Sequence, residues 1–353
     1  VLATTRERMQ FKLHVLQSAA TDIGMDLHPD KSLFFAINAE DLSPFVLDHG
    51  VLVKFSDIYG YLGTPVSNNS VANQVRDHMK SKCRDVTKFS AFLSKHPDAP
   101  YSVKKTVWNS AVVSAILYSC ETWLTKDLSC ASSLYRRTVK ELLGVRQSTA
   151  TNIIIVEAGI PDAKPFILSR QIAFMNKLRS SPSYPGSPVH KAITLAATHQ
   201  SPMGKYIQYL DTLTLDPLSQ SIEDARSHIA SSDSSRCLAY ASMNPSLSVH
   251  PMYSTASVLE HARIATTRLR TTSHSLKVET GRWARIEREN RRCLCGAVQD
   301  EAHVLLQCPH TAQLRNSYAE KLNLSDISNL MDSSDPYYLS IYCFKVLVLI
   351  YDL

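Results

Sequence analysis

Cys293-Leu294-Cys295-Gly296, then His303, then Cys308-Pro309: seven residues separate the second cysteine from the histidine, and four separate the histidine from the third cysteine. Three thiolates and an imidazole make a complete tetrahedral donor set for Zn2+, an ion that accepts sulfur and nitrogen together. Four protein ligands leave no open position, so such a site is structural and not catalytic. Gly296, directly after the second cysteine, suits the tight turn that aims backbone amides at the sulfurs. Asp300 is placed to cap a short helix presenting His303, which Cys308 and Pro309 then end. His274 and His310 are alternatives for the histidine ligand. Metal binding would contribute folding free energy directly, because the segment is too small for an apolar core of its own. The expected ligands are therefore Cys293, Cys295, His303 and Cys308, with structural Zn2+ as cofactor.

The approach to this motif carries the charge. Between Arg263 and Arg292 there are nine Lys/Arg against three Glu, an excess equal to the formal net charge of +6 of the whole chain. A concentrated basic stretch is the footprint of a polyanionic partner. The expected nucleic-acid-binding residues here are Arg282, Trp283, Arg285, Arg288, Arg291 and Arg292, with Trp283 able to stack on a base.

The rest of the chain sets the frame. At 353 residues, 44% hydrophobic and 20% charged, it has the composition of a globular protein with room for more than one core. Eight cysteines, three of them clustered, suit metal binding in a reducing compartment better than a disulfide framework. The expected setting is intracellular, in cytoplasm and nucleus. The tail from Tyr338 to Leu353 is short and interrupted by Lys345, so a buried element is expected there and no membrane partner. Met9, Leu13, Leu16, Ala20 and Ile23 recur at helical spacing from Arg6, with Gly24 as the stop. Leu33 to Ile37, Val51 to Phe55 and Tyr59 to Gly63 read as strands, the last closed by Pro65. Beyond Val71 the pattern is helical: Val103 to Ala115, Tyr135 to Leu143 before Gly144, and Ile167 to Leu178. Ser180 to Pro188 and the Ser-rich 231–257 read as loops.

These residues resemble a known family. Gly281-Arg282-Trp283 with Arg285 and Arg288, running into the Cys-x-Cys, is similar to the approach to the C-terminal zinc knuckle of non-LTR (LINE-type) retrotransposon reverse transcriptases. Gly24 to Lys31 resembles that family's G-x-x-x-x-x-x-K segment at the end of the palm, where the lysine is held to assist the departing pyrophosphate. Tyr61-Leu62-Gly63 looks like the primer-grip hairpin that follows. Lys104-Lys105-Thr106-Val107-Trp108 and Leu117 to Trp123 look like the thumb and the region after it. Residues 190–255 carry no such motif.

The resemblance implies a mainly α chain with a small α+β palm remnant at its N-terminus, a helical thumb and a small zinc-stabilised C-terminal domain. The implied divisions are 1–65 palm remnant, 66–185 thumb, 186–257 a partly flexible connector, and 258–353 the basic knuckle domain. It further implies RNA and DNA as partners, with Lys104 and Lys105 on the binding surface, alongside the upstream portion of the same polyprotein. Polymerase chemistry needs paired aspartates holding divalent ions, and no Asp-Asp pair occurs in the chain. Val1 to Thr5 resembles the strand after the family's catalytic turn. Mg2+ would then serve only the intact parent enzyme, and this fragment is expected to be inactive alone, with Lys31 its nearest approach to a catalytic residue. The alternative reading is a stand-alone or domesticated zinc-dependent nucleic-acid-binding protein.

Overall fold

In a computed structural model, the described residues are 1–28, 30–36, 39–61, 64–67, 71–213 and 216–352, with only the backbone described for 61 and 64–67. They form a mainly helical chain with a small amount of sheet, which divides into two compact units, Val1–His78 and Met79–Leu353.

The first unit opens with the helix Arg6–Asp22, capped by the Thr5 side chain. Gly24 follows at φ +74°, a backbone conformation that other residues adopt at a cost. Strands β1 (Leu33–Phe34), β2 (Phe45–Val46) and β3 (Leu52–Phe55) form one sheet in the order β1-β3-β2, with β1 parallel and β2 antiparallel to β3. Strands β4 (Ile58–Tyr61) and β5 (Thr64–Ser67) make a separate antiparallel hairpin, with Pro65 inside β5 opposite Gly60. Pro65, read as a stop in the sequence, fits there because a two-stranded hairpin has outward edges that need no N–H. Leu13, Phe34, Phe45, Leu47 and Val53 fill the core of the unit, and the Phe34 and Phe45 rings meet edge-on at 4.8 Å.

The described residues of the second unit are mainly helical, with one bridged hairpin at Arg292 and Val298. The helices Ser129–Leu143 and Ala163–Ser180 match the apolar stripes seen in the sequence, and Gly144 at φ +75° ends the first. The run from Tyr101 to Ile116 is continuous, with a π-helical stretch over Trp108–Val113. Trp108 is core: its Nε1 donates to Thr138 Oγ1 at 2.9 Å and its ring meets Tyr135 edge-on. The Ser-rich 231–257, read as loop, holds a helix over Ser235–Met243 whose Cys237, Tyr240 and Met243 are buried. Those three positions are spaced to share one helical face, and burial of that face outweighs the weak propensity of its serines. The segment 186–257 also carries helices at Pro188–Thr198, Pro202–Asp211 and Pro217–Ser231. The apolar tail forms the helix Pro336–Tyr351, with Leu339, Tyr342, Cys343, Val346, Leu347 and Ile350 buried. It packs on the helix Glu260–Arg270. Among the described residues no helix is long and apolar enough to cross a membrane.

Two buried charge clusters tie this unit together. Glu157, at the end of the helix Thr151–Ala158, accepts from four donors: Arg270 Nε (2.9 Å), Arg270 Nη2 (3.2 Å), Tyr240 Oη (2.9 Å) and Tyr253 Oη (2.9 Å). Arg270 also donates to the carbonyls of Met243 and Met331. Burial opposes its charge, but Glu157 outweighs burial and raises its pKa. Seven residues earlier on the same helix, Arg263 forks onto Glu260 at 2.7 and 2.8 Å, and Lys104 Nζ reaches Glu260 at 2.9 Å. Removing one member of a buried pair strands the other without water, typically at a cost of about 3–5 kcal/mol. Glu157→Ala should therefore lower the stability of the chain by about that amount, read as a drop in the urea unfolding midpoint.

His250 accepts at Nδ1 from the Met252 amide, and burial, reinforced by Arg270, pushes its pKa from the ordinary 6.5 down to about 4. A depressed histidine is held neutral, so its contribution is complete above pH 6.5 and is lost as pH falls through the window down to about 4. Between pH 6.5 and 5 the loss is about 2 kcal/mol at roughly 1.4 kcal/mol per pH unit. His250→Gln should show a flatter fall in urea midpoint across that range than the unaltered chain.

Candidate metal centre and the basic surface around it

The metal ligands come from a hairpin and a short helix. Arg292 pairs with Val298 across the hairpin, Cys293 N donates to Ala297 O at 2.7 Å, and Gly296 N donates to Cys293 O at 3.0 Å. Gly296 sits at φ +94°, so the two-residue step from Cys293 to Cys295 can turn back on itself. Asp300 Oδ1 accepts from the His303 amide at 2.9 Å, the cap read from the sequence. The five-residue π-turn His303–Gln307 follows, closed by Cys308 N donating to His303 O at 2.7 Å. This wider turn brings Cys308 back towards the hairpin.

Cys293, Cys295, His303 and Cys308 thus converge, and their ligand atoms all lie within 4.8 Å of one another, a cluster that can hold a metal ion. Cys293 Sγ and Cys308 Sγ are 3.8 Å apart, and Cys295 Sγ is 3.1 Å from His303 Nε2. Four bonds of about 2.3 Å in a tetrahedron place sulfurs about 3.8 Å apart, so the sulfur pair sits at the edge length of a zinc site. Burial and nearby Arg315 and His310 lower the His303 pKa, favouring the neutral ring that ligates metals. Burial pushes the Cys308 thiol up to about 11. At Cys293 burial also opposes the thiolate, but the Cys295 amide and the neighbouring thiols outweigh it and lower the pKa.

The cluster is anchored in a core. Cys293 and Cys308 belong to the apolar cluster that includes Leu269, Val304, Leu305, Tyr342 and Val346. Tyr342 Oη donates to Leu305 O, and Thr311 Oγ1 donates to the Val304 and Cys308 carbonyls. The expected lack of a local core is thus made good by the C-terminal helix. His274, an alternative ligand, is buried with its Nε2 2.7 Å from Glu301 Oε1 while Nδ1 accepts from the Leu276 amide. His303 is the histidine in the cluster.

The expected nucleic-acid residues fare unequally. Arg291 is spent inside the protein: Nε and Nη2 donate to Ile286 O and Nη1 to Val278 O, all at 2.6–2.8 Å. Its side chain crosses Gly281 so closely that a Cβ there would lie 2.7 Å from Arg291 Cγ. Lys104 is also turned inward, onto Glu260 and the Pro97 carbonyl, because a buried carboxylate offers it a partner that local sequence does not reveal. Arg282 pairs with Glu279 at 3.0 Å, Arg288 with Asp300 at 2.6 Å, and Arg292 donates to Gly296 O while staying partly exposed. Arg285, at φ +56°, is exposed, and Trp283 is 49% exposed. Lys105 is half-buried on the wall of an open pocket with Ser102, Thr106 and Asn109. Lys31 lies exposed in a turn of the first unit. Tyr61 ends β4 beside Thr64, while Leu62 and Gly63 fall outside the described residues.

Residues absent from the sequence reading join this surface. Arg146 lays its guanidinium over the Trp283 ring at 4.1 Å and donates from its backbone to Ser273, 127 residues away. Arg236 faces Glu279 at 3.6 Å. No local pattern marks either, since their partners lie in distant helices.

Comparison with protein-family models, curated proteins and solved structures returns no match.

One metal ion per chain is the expected stoichiometry, lost in Cys308→Ser. At free Zn2+ about 1,000-fold above its dissociation constant the bound ion adds about 4 kcal/mol of stability. Chelation should therefore lower the unfolding midpoint of the unaltered chain and leave that of Cys308→Ser unmoved.

Proposed function

We propose that the chain is the nucleic-acid-binding C-terminal portion of a non-LTR retrotransposon reverse transcriptase, carrying a structural Zn2+. The observation that carries this reading is the convergence of Cys293, Cys295, His303 and Cys308 beneath an arginine-rich surface. The ion would cross-link the hairpin to the His303–Cys308 turn. This chain's own residues hold the approach segment in place, through Arg291 to the Val278 and Ile286 carbonyls and Arg288 to Asp300. Arg282, Trp283, Arg285 and Arg292 then face an RNA or DNA partner, and phosphate contacts dominate affinity. With no Asp-Asp pair in the sequence, Mg2+-dependent polymerisation belongs to the parent enzyme, and the chain alone binds without polymerising. In this reading residues 1–65 are a palm remnant, and helices within 66–185 form the thumb.

One observation favours the alternative, a stand-alone zinc-dependent nucleic-acid-binding protein. The second unit satisfies Glu157, Glu260, Arg263 and Arg270 entirely from within itself.

The test uses the full chain, because Arg270 bonds Glu157 across any cut near residue 258. Single-stranded RNA and DNA are titrated at several salt concentrations, with and without chelator. Salt-dependent binding that weakens on chelation and in Cys308→Ser is the expected result. Binding indifferent to metal would refute the zinc-organised interface, and no binding to either strand would refute the function.

A further inference from the structure

The cations around Trp283 are not balanced. Arg146 stacks on the ring at 4.1 Å, and its Nη2 donates to Ser275 Oγ at 2.7 Å. Arg268, from the helix Glu260–Arg270, donates to Gly144 O at 2.7 Å, two residues before Arg146 in the chain. Arg236 and Arg282 share one carboxylate, Glu279, at 3.6 and 3.0 Å. Arg146 also feels the charges of Arg268, Glu279 and Arg236, so these guanidinium groups share one neighbourhood with a single acid. Two of their nitrogens, Arg146 Nη1 and Arg236 Nε, are buried without an acceptor. Among the described residues Glu279 Oε2, 3.6 Å from Arg236 Nη2, is the one buried acceptor beside them without a donor, so unpaired donors outnumber it although each is costly. Such a cluster invites an anion to lie among the guanidinium groups.

An aromatic surface adjoins it. Trp283 is 49% exposed, whereas Trp108 and Trp123 are 2% and 4% exposed. A half-open indole backed by a guanidinium is a stacking platform for a flat, unpaired ring.

We infer that Arg146, Arg236 and Arg268 together with Trp283 form a nucleotide subsite for single-stranded nucleic acid, the phosphodiester among the arginines and the base on the indole. This rests on the nucleic-acid reading above and deepens it. It places the strand across residues from four separate parts of the second unit, the turn after Gly144, the helix Ser235–Met243, the helix Glu260–Arg270 and the helix Lys277–Trp283 before the metal cluster. Arg146, Arg236 and Arg268 meet the phosphate and Trp283 meets the base, while Arg282, the closer partner of Glu279, offsets that carboxylate.

The full chain is titrated with an eight-nucleotide oligouridylate, an oligothymidylate of the same length, and an abasic strand of equal charge, following tryptophan emission. Only Trp283 is open enough to be quenched by contact. Both base-bearing strands should quench, and the abasic strand should bind about ten-fold more weakly without quenching. Arg146→Ala should weaken binding about ten-fold and reduce the slope of log affinity against log salt by about 0.7, one phosphate contact on a single strand. Trp283→Leu should weaken binding similarly with the slope unchanged. Stronger binding of the uridylate would identify RNA as the source of the strand, and stronger binding of the thymidylate would identify DNA; equal binding would make the shared phosphodiester chemistry the ligand. If the strands bind but the abasic one binds equally well and the emission is unmoved, the subsite is wrong while the nucleic-acid reading stands. If none binds, both fall. Should Arg146→Ala not fold, the abasic comparison on the unaltered chain still decides.

Discussion

The carboxylate of Glu157 is the point on which the second unit turns. A charge in a site with no water is tolerable only when every lone pair finds a donor, and here Arg270, Tyr240 and Tyr253 supply them. Each donor belongs to a different segment, so satisfying one carboxylate sets the mutual position of the helices Thr151–Ala158, Ser235–Met243 and Glu260–Arg270 and the turn Pro251–Tyr253. Asn244 extends the network by donating to Tyr240 Oη. Arg270 carries it to the Met331 carbonyl, at the edge of the C-terminal helical layer.

The metal cluster stands on that layer. A hairpin of this size holds no apolar core, and the ligand cysteines supply one only by packing beneath the helix Pro336–Tyr351. The connection runs both ways. A bound ion would clamp the hairpin to the His303–Cys308 turn, and the buried faces of Val304 and Leu305 clamp that turn to the core. Metal bound there would therefore be coupled to folding through the same residues.

Charge shows where local reading fails. The excess of basic residues between Arg263 and Arg292 is real, yet a window of sequence cannot tell a solvated guanidinium from a buried one. Arg263 and Arg270 point inward because helical spacing puts them on the buried face with Leu269 and because Glu260 and Glu157 neutralise them there. Arg291 is consumed by the Ile286 carbonyl of its own loop and the Val278 carbonyl of the helix Lys277–Trp283. The arginines of this stretch left at the surface are fewer than the composition suggests, and Arg146, from outside it, stacks on Trp283.

The sequence by itself determined the elements and the ligands. Helical spacing of apolar residues set the helices Arg6–Asp22, Ser129–Leu143 and Ala163–Ser180, and the interval from Cys293 to Cys308 set which four side chains converge. These are short-range matters, governed by the period of the helix and by turn chemistry at Gly296 and Asp300. Tertiary structure alone decided which charges are buried, that a Ser-rich segment folds as helix, and that Arg146 reaches Trp283. The physical reason is common to all three: the energy of a charged or apolar side chain depends on what surrounds it, and the surrounding groups include residues far off in the chain, 83 positions for Tyr240 and Glu157, 113 for Arg270 and Glu157, and 127 for Arg146 and Ser273.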